Sequence, residues 1–434
     1  MRPSTVLTTS SILAFSLLSH TWALRVPSLL NVPSFPYGLQ KVRGVNVGGW
    51  LLLEPFITPS LFDNTGDNSL VDEYTYGEYA SAHPEAKDAL KNHWDTFITE
   101  EDFAQIAAAG LNHVRIPIGY WAFKPLPEAP FISGQLPYLR KAVGWARNHG
   151  LKVIVDLHGA PGSQNGFDNS GQKMDSPQWQ SKQSNIDLTE EVVKMIVQEF
   201  GGDSTVPTIA PLNEPAGYRG ADLLNATRQY WLDTYDIIRY PDGKGLFASE
   251  SNTLVLIHDA FQGVGYWNGF MPSPEYQNYG LDKHIYQIFS DDENRRDDTE
   301  HLRVACNYAS ELTSAQDFLV VVGEWSTAST DCARYLNSRG VGSRYDGTYP
   351  GSSKIGSCEG KTGPASSIDK EYQEFMRKYW EAQVITYEKA GGWLQWTWKT
   401  ESAAEWSYKA GLEAGWIPQD PTDLKYPDIC DQFQ

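Results

Sequence analysis

An eightfold alternation constrains this chain more than any other feature of its sequence. Short runs rich in β-branched and aromatic residues recur at Val42–Val47, His113–Ile118, Lys152–His158, Thr208–Glu214, Thr253–Ala260, Lys283–Phe289, Leu319–Trp325 and Gly392–Lys399. Their length and composition read as strands. Longer segments separate them, and in Leu136–Asn148, Leu188–Phe200 and Lys370–Lys389 apolar residues return every three or four positions, the period of a helix with one buried face. Gly110, Gly150 and Gly391 follow helical patterns, as C-cap glycines do. Strands that alternate with helices pair in parallel, because each crossover helix returns the chain to the same end of the sheet. Eight such units predict an α/β fold, a (β/α)8 TIM barrel forming one domain over residues 41–434 with extended βα loops. The alternative is an open doubly wound sheet. It is disfavoured because Gly44, Gly48 and Gly49 near the first strand lack the G-x-G-x-x-G spacing of a dinucleotide fold.

A barrel of this kind collects its chemistry where strands end, at the C-terminal face. The predicted strands close on Arg115, on Asp156 and His158, on Asn213 and Glu214, on His258 and Asp259, on His284 and Tyr286, on Glu324, and on Trp396 and Trp398. Two of these are carboxylic acids on the fourth and seventh strands, Glu214 in Leu212-Asn213-Glu214-Pro215 and Glu324 in Val322-Gly323-Glu324-Trp325. Strand ends so placed face each other across a barrel mouth. Cleavage of a glycosidic bond needs such a pair: one acid to protonate the leaving oxygen, and one carboxylate to attack the anomeric carbon or to activate water. A gap of about 5–5.5 Å implies retention of anomeric configuration and about 6.5–9.5 Å implies inversion. Sequence leaves that choice open. Two carboxyls so close do not both ionise easily, so one is expected to keep its proton near neutral pH.

With these residues in place, the chain resembles family 5 of the glycoside hydrolases, through Asn-Glu-Pro at 213–215, Gly-Glu-Trp at 323–325 and Arg115 on the second strand. Three longer blocks, beginning at Val42, His158 and Trp398 and ending at Phe56, Gly171 and Trp406, are similar to the fungal exo-β-1,3-glucanases, and the similarity runs from about residue 40 onward. The resemblance implies a retaining double displacement that releases glucose from non-reducing ends of β-1,3-glucan, with transglucosylation at high sugar concentration. It implies Glu214 as acid/base and Glu324 as nucleophile. Asn213 would hold the sugar 2-hydroxyl, Tyr286 and Arg115 would keep Glu324 ionised, and His158 and His284 would line the glycone subsite. Glu54 and Asn169 would read hydroxyls, Trp398 would form the floor of the pocket, and Phe167 and Phe289 would grip the next sugar at its mouth. The loops at 49–75 and 159–185 would close the pocket for exo attack.

Residues 1–23 read as a secretory signal: Arg2 precedes an apolar stretch from Ile12 to Leu18, with small residues at Thr21 and Ala23 before cleavage. Residues 24–40 form a proline-broken lead-in. In an oxidising compartment Cys306, Cys332, Cys358 and Cys430 favour two disulfides, with three pairings open to them. The resemblance implies Cys306–Cys430 and Cys332–Cys358. Asn225-Ala-Thr227 is a glycosylation sequon. A net charge of −19 repels nucleic acid and anionic membranes. With 15 Trp and 23 Tyr, the chain is well supplied with flat apolar faces of the kind on which sugars stack. The expected partner is β-1,3-glucan and its oligosaccharides, acted on by a secreted monomer, with no membrane or nucleic-acid partner. No cofactor and no metal are expected. A metal-dependent hydrolase using Asp156, His158, His258, Asp259 and His284 is a rival reading, weakened by the absence of H-x-H at the end of the first strand and of H-E-x-x-H. An endo-acting or differently linked β-glycosidase and a non-catalytic glucan-binding protein are the others.

Overall fold

The structure, a computed structural model, describes residues 34–244 and 249–433. The expected signal, residues 1–23, lies outside them. Eight parallel strands close into a barrel in chain order: β1 (Val42–Asn46), β2 (His113–Gly119), β3 (Lys152–Gly159), β4 (Thr208–Ala210), β5 (Leu254–His258), β6 (Tyr279–Ile285), β7 (Leu319–Trp325) and β8 (Gly392–Gln395). β1 closes the ring on β8, with Val42 opposite Gly392. The sheet is buried on both faces, so its strands read as nearly continuous apolar runs.

Most of the runs lie within two residues of their expected ends, while β4 and β8 start where expected and leave the ladder early. The sixth is shifted: β6 starts at Tyr279, four residues before the expected Lys283, so His284 lies near its end. Gly280 and Asp282 disguise that start, because both are poor strand formers. The helix Gln183–Phe200 begins five residues before its periodic apolar stripe, on a polar first turn. Gly110 and Gly150 take the left-handed backbone expected of C-caps, at φ 74° and 72°. Gly391 does not; the positive φ falls on Gly392, whose Cβ would sit 2.0 Å from the Val42 carbonyl oxygen.

Inside the barrel, Val42, Ile154, Ala210, Leu256, Val321 and Leu394 form an apolar layer, and Phe35 packs beneath it. Tyr37 reaches the same end, bonded to Thr208 Oγ1 at 2.6 Å and His113 Nε2 at 3.1 Å. Residues 34–37 therefore plug the N-terminal face and leave the opposite mouth for the site. A larger core lies between the sheet and the surrounding helices. Two disulfides brace the periphery. Cys306–Cys430 ties the helix Asp298–Leu312 to the C-terminal segment, and Cys332–Cys358 staples the long loop after β7.

Candidate active site

Arg115 organises the mouth of the barrel. It sits on β2, is fully buried, and spreads its fork to β1, β7 and the loop after β4: Nη1 donates to Glu324 Oε1 at 2.7 Å and to Asn46 Oδ1 at 3.0 Å, and Nη2 donates to Asn213 Oδ1 at 2.8 Å. Asp156 lies 3.2 Å from Nη2 and Asp282 lies 3.8 Å from Nε. A guanidinium in water-excluded surroundings requires such partners.

Glu324 gains its direction from a bulge. Lys283 pairs with Val322, but His284 pairs with Glu324, so Gly323 is the extra residue. Glycine keeps that space open, since a Cβ on Gly323 would lie 1.9 Å from Asp282 Oδ1 and force that carboxylate to move. The Tyr286 hydroxyl donates to Glu324 Oε2 at 3.0 Å. Glu214 arrives differently: β4 ends at Ala210, and Glu214 sits four residues on, in a left-handed backbone at φ 46°. Such a conformation costs a non-glycine residue on the order of 1–3 kcal/mol and persists only where its surroundings hold it. At Glu214, Asn169 Nδ2 donates to Oε2 at 3.0 Å and His284 Nδ1 lies 2.7 Å from Oε1.

His284 links the two acids, because the same Nδ1 is 3.5 Å from Glu324 Oε2. The Glu214 and Glu324 oxygens it addresses are thus at most about 6.2 Å apart, the sum of the 2.7 Å and 3.5 Å contacts. Burial opposes charge on His284, but the charges of Glu324 and Asp282 and its hydrogen bond to Glu214 hold its pKa well above the ordinary value. Burial also raises Glu214, yet the hydrogen bond and charge of His284 outweigh it and bring that carboxyl down to about 2. Glu324 is raised, by burial first and also by Glu214, with His284 and Arg115 opposing. The two carboxyls are thus shifted in opposite directions, Glu214 down and Glu324 up, with His284 between them.

His158 pairs through Nδ1 with Asp156 at 2.6 Å, leaving Nε2 to accept from the Asn213 amide at 3.2 Å. Glu54 is buried beside them, its Oε1 unpaired and its pKa pushed well up by burial and then by the charges of Glu324, Asp168 and Glu214. Phe289 is exposed on the rim 5.5 Å from the Tyr286 ring, and Phe167 is half-buried two residues before Asn169. Asn225 is exposed on the helix Ala221–Arg239.

One expectation is corrected. Trp398 does not floor the pocket: its indole is fully buried on the outer side of the sheet, donating to Asp102 Oδ1 at 2.9 Å and packed against Tyr408. Trp396 lies at the mouth instead, stacked 5.6 Å from His158 at 17°. β8 leaves the ladder after Gln395, so strand alternation no longer assigns these two rings to one face. Gly48 admits the Trp396 ring, which would stand 2.6 Å from a Cβ there.

The five residues of the metal reading do not converge. Asp259 accepts from Lys283 Nζ at 2.8 Å and from the amides of Phe261 and Gly263, while Asp156 and His158 hold each other. Glu214, His258 and His284 do bring an oxygen and two ring nitrogens within 4.8 Å. That set suits a cation poorly. His258 Nδ1 accepts the Ala260 N–H at 3.0 Å, so the neutral ring carries its proton on Nε2 and offers no lone pair there, and the charges of Glu324 and Asp282 favour the protonated form of His284.

Comparison with known proteins agrees with this architecture. The model of the cellulase family (glycosyl hydrolase family 5) matches residues 79–341. The chain is 45% identical to a glucan 1,3-beta-glucosidase of Blumeria graminis, over 95% of this chain and 94% of that one. It is 44% identical to a probable glucan 1,3-beta-glucosidase A of Aspergillus niger, over 97% of this chain and 98% of the relative. In fold it is similar to a rutinosidase from Aspergillus niger, with a TM-score of 0.66 at 19% identity, covering 89% of this chain and 99% of that one. This barrel, with its two facing glutamates, thus belongs to glycosyl hydrolase family 5.

Proposed function

We propose that this protein is a retaining exo-β-1,3-glucanase that releases glucose from the non-reducing ends of β-1,3-glucan, with Glu324 as nucleophile and Glu214 as acid/base. One observation carries the reading: both carboxyls reach the same His284 nitrogen, at 2.7 Å and 3.5 Å, so the two acids face each other across one narrow gap, as a retaining pair does. The names of the relatives at 44–45% identity supply the substrate class.

In this mechanism Glu324 attacks the anomeric carbon, aimed by Arg115 Nη1 and the Tyr286 hydroxyl, whose donors favour its ionised form. As the glycosidic bond lengthens, Glu214 delivers a proton to the departing oxygen. His284 Nδ1, 2.7 Å away, and the Asn169 amide hold the Glu214 carboxyl in place for that delivery. Glu214, ionised again, then takes a proton from water, which opens the glycosyl ester on the opposite stroke. The Asn213 amide and the unpaired Glu54 Oε1 address sugar hydroxyls, and Trp396 takes the stacking role expected of Trp398. The signal sequence and the two disulfides fit secretion through an oxidising compartment, where the exposed Asn225 is open to glycosylation.

A fluorinated β-glucoside with a good leaving group tests the assignment, because it traps the glycosyl-enzyme. Peptide mapping is expected to find the label on Glu324. Label on another carboxylate would refute the roles of Glu324 and Glu214.

A further inference from the structure

The two ends of the Asn169 amide are alike in shape and opposite in action: the carbonyl accepts a hydrogen bond and the NH2 group donates. Only the donating end suits a carboxylate, and at Glu214 it is Nδ2 that faces Oε2, at 3.0 Å. Glu214 alone does not fix that orientation, because a carboxyl that carries its proton can meet the carbonyl end instead. The choice is made behind Asn169.

Asn165, fully buried in the loop after β3, donates from Nδ2 to Asn169 Oδ1 at 3.1 Å. Its own Oδ1 accepts the Phe167 backbone N–H at 2.8 Å. A backbone N–H can only donate, so it fixes the sense of the whole row, from Phe167 to Asn165, from Asn165 to Asn169 and from Asn169 to Glu214. Turning over one amide sets like ends against each other between Asn165 and Asn169. Turning over both sets the Asn165 NH2 group against the Phe167 N–H. The turn that carries Asn165 is itself held. The Ser163 hydroxyl accepts the Gly166 N–H at 2.7 Å and lies 2.7 Å from the Ser170 hydroxyl. Gly166 has φ 82°, and a Cβ there would stand 2.8 Å from the Met174 carbonyl oxygen.

Resting on the function proposed above, we propose that Asn165 is a positioning residue, which locks the amide of Asn169 so that the acid/base always meets a donor. The consequence falls on the first chemical step. As Glu214 gives its proton to the leaving oxygen its carboxyl becomes an anion, and a donor already aimed at Oε2 stabilises that charge without reorganising. A reversed Asn169 would present its carbonyl oxygen to the same atom and oppose the transfer. Asn165 acts through Asn169, and that gives its variants a signature that loss of folding does not share.

The test is kcat/KM of the full chain on the β-1,3-linked glucose disaccharide, whose leaving group needs a proton, and on an aryl β-glucoside whose leaving group needs none. Asn165→Ala is expected to lower kcat/KM on the disaccharide about three- to tenfold, the worth of one hydrogen bond, and on the aryl glucoside by less than about twofold. Asn165→Asp, nearly isosteric, keeps the acceptor for Phe167 and loses the donor while its carboxyl is ionised, so it should show the same split at neutral pH. In an Asn169→Ala background Asn165→Ala should cost nothing further, since no amide remains to orient. Equal losses on the two substrates in both variants, no loss in either, or a loss undiminished in the Asn169→Ala background would overturn the inference while leaving the proposed activity standing. A wild type that releases no glucose from the disaccharide refutes the activity itself, and this inference with it.

Discussion

Replacing Arg115 with methionine tests the electrostatic frame of the site, because the side-chain volume is nearly kept while the charge is lost. The guanidinium stands 2.7 Å from Glu324, 3.2 Å from Asp156 and 3.8 Å from Asp282, all three buried. Removing one partner of a buried pair costs about 3–5 kcal/mol, because the remaining charge is stranded without water. His284 compensates in part from the other side of Asp282 and Glu324. A loss of about 3–5 kcal/mol near pH 7 is therefore expected by urea denaturation. The loss should shrink towards pH 4. Without Arg115, Glu324 and Asp282 have higher folded pKa values, and a carboxyl with a raised folded pKa gives stability that is present below its unfolded pKa and disappears as pH rises through the folded one. The acidic limb of kcat should also move to higher pH, since Glu324 holds its proton longer. A loss under about 1 kcal/mol, or one equal at pH 4 and pH 7, would refute this role for Arg115.

Three further outcomes are expected. Glu214→Ala should lose most of its activity on glucan but far less of its first step on an aryl glucoside whose leaving group needs no proton; equal loss on both, read by pre-steady-state release, would remove Glu214 from the acid role. Glu405 is fully buried and its carboxyl is pushed up to about 8, by burial first with Thr362 opposing. Glu405→Gln should therefore be neutral near pH 4 and stabilising, by at most roughly 4 kcal/mol, as pH rises from about 4.5 to 8, measured as the shift in urea midpoint across that window. Loop-closure entropy sets the two disulfides apart: 124 residues separate Cys306 from Cys430 and 26 separate Cys332 from Cys358. Paired Cys→Ser variants should lose about 5 and about 3.5 kcal/mol respectively, with the order, read by denaturation, as the discriminating result.

The barrel was legible because its strands are buried on both faces and its helices on one, so that period and length separate them along the chain. β7 and the helix Leu136–Asn148 were placed to the residue. β6 slipped because Gly280 and Asp282 look like loop, and what makes a strand of them is tertiary: Asp282 serves Arg115 and His284 across the barrel. The carboxyls and Arg115 could be found because chemistry and strand ends coincide there. Trp396 was passed over for Trp398 because the two differ by two positions, and only the end of the β8 ladder separates their directions. The link between the two carboxyls was also out of reach. It depends on His284 standing within hydrogen-bonding distance of Glu214 and close to Glu324, which no local pattern encodes.

The measurement that bears most directly on the central claim is the anomeric form of the first glucose released from laminarin, followed by proton NMR before mutarotation sets in. Two carboxyls spanned by a single imidazole nitrogen predict β-glucose as the initial product, accumulating as the only early sugar. Initial α-glucose would mean that water, not Glu324, meets the anomeric carbon.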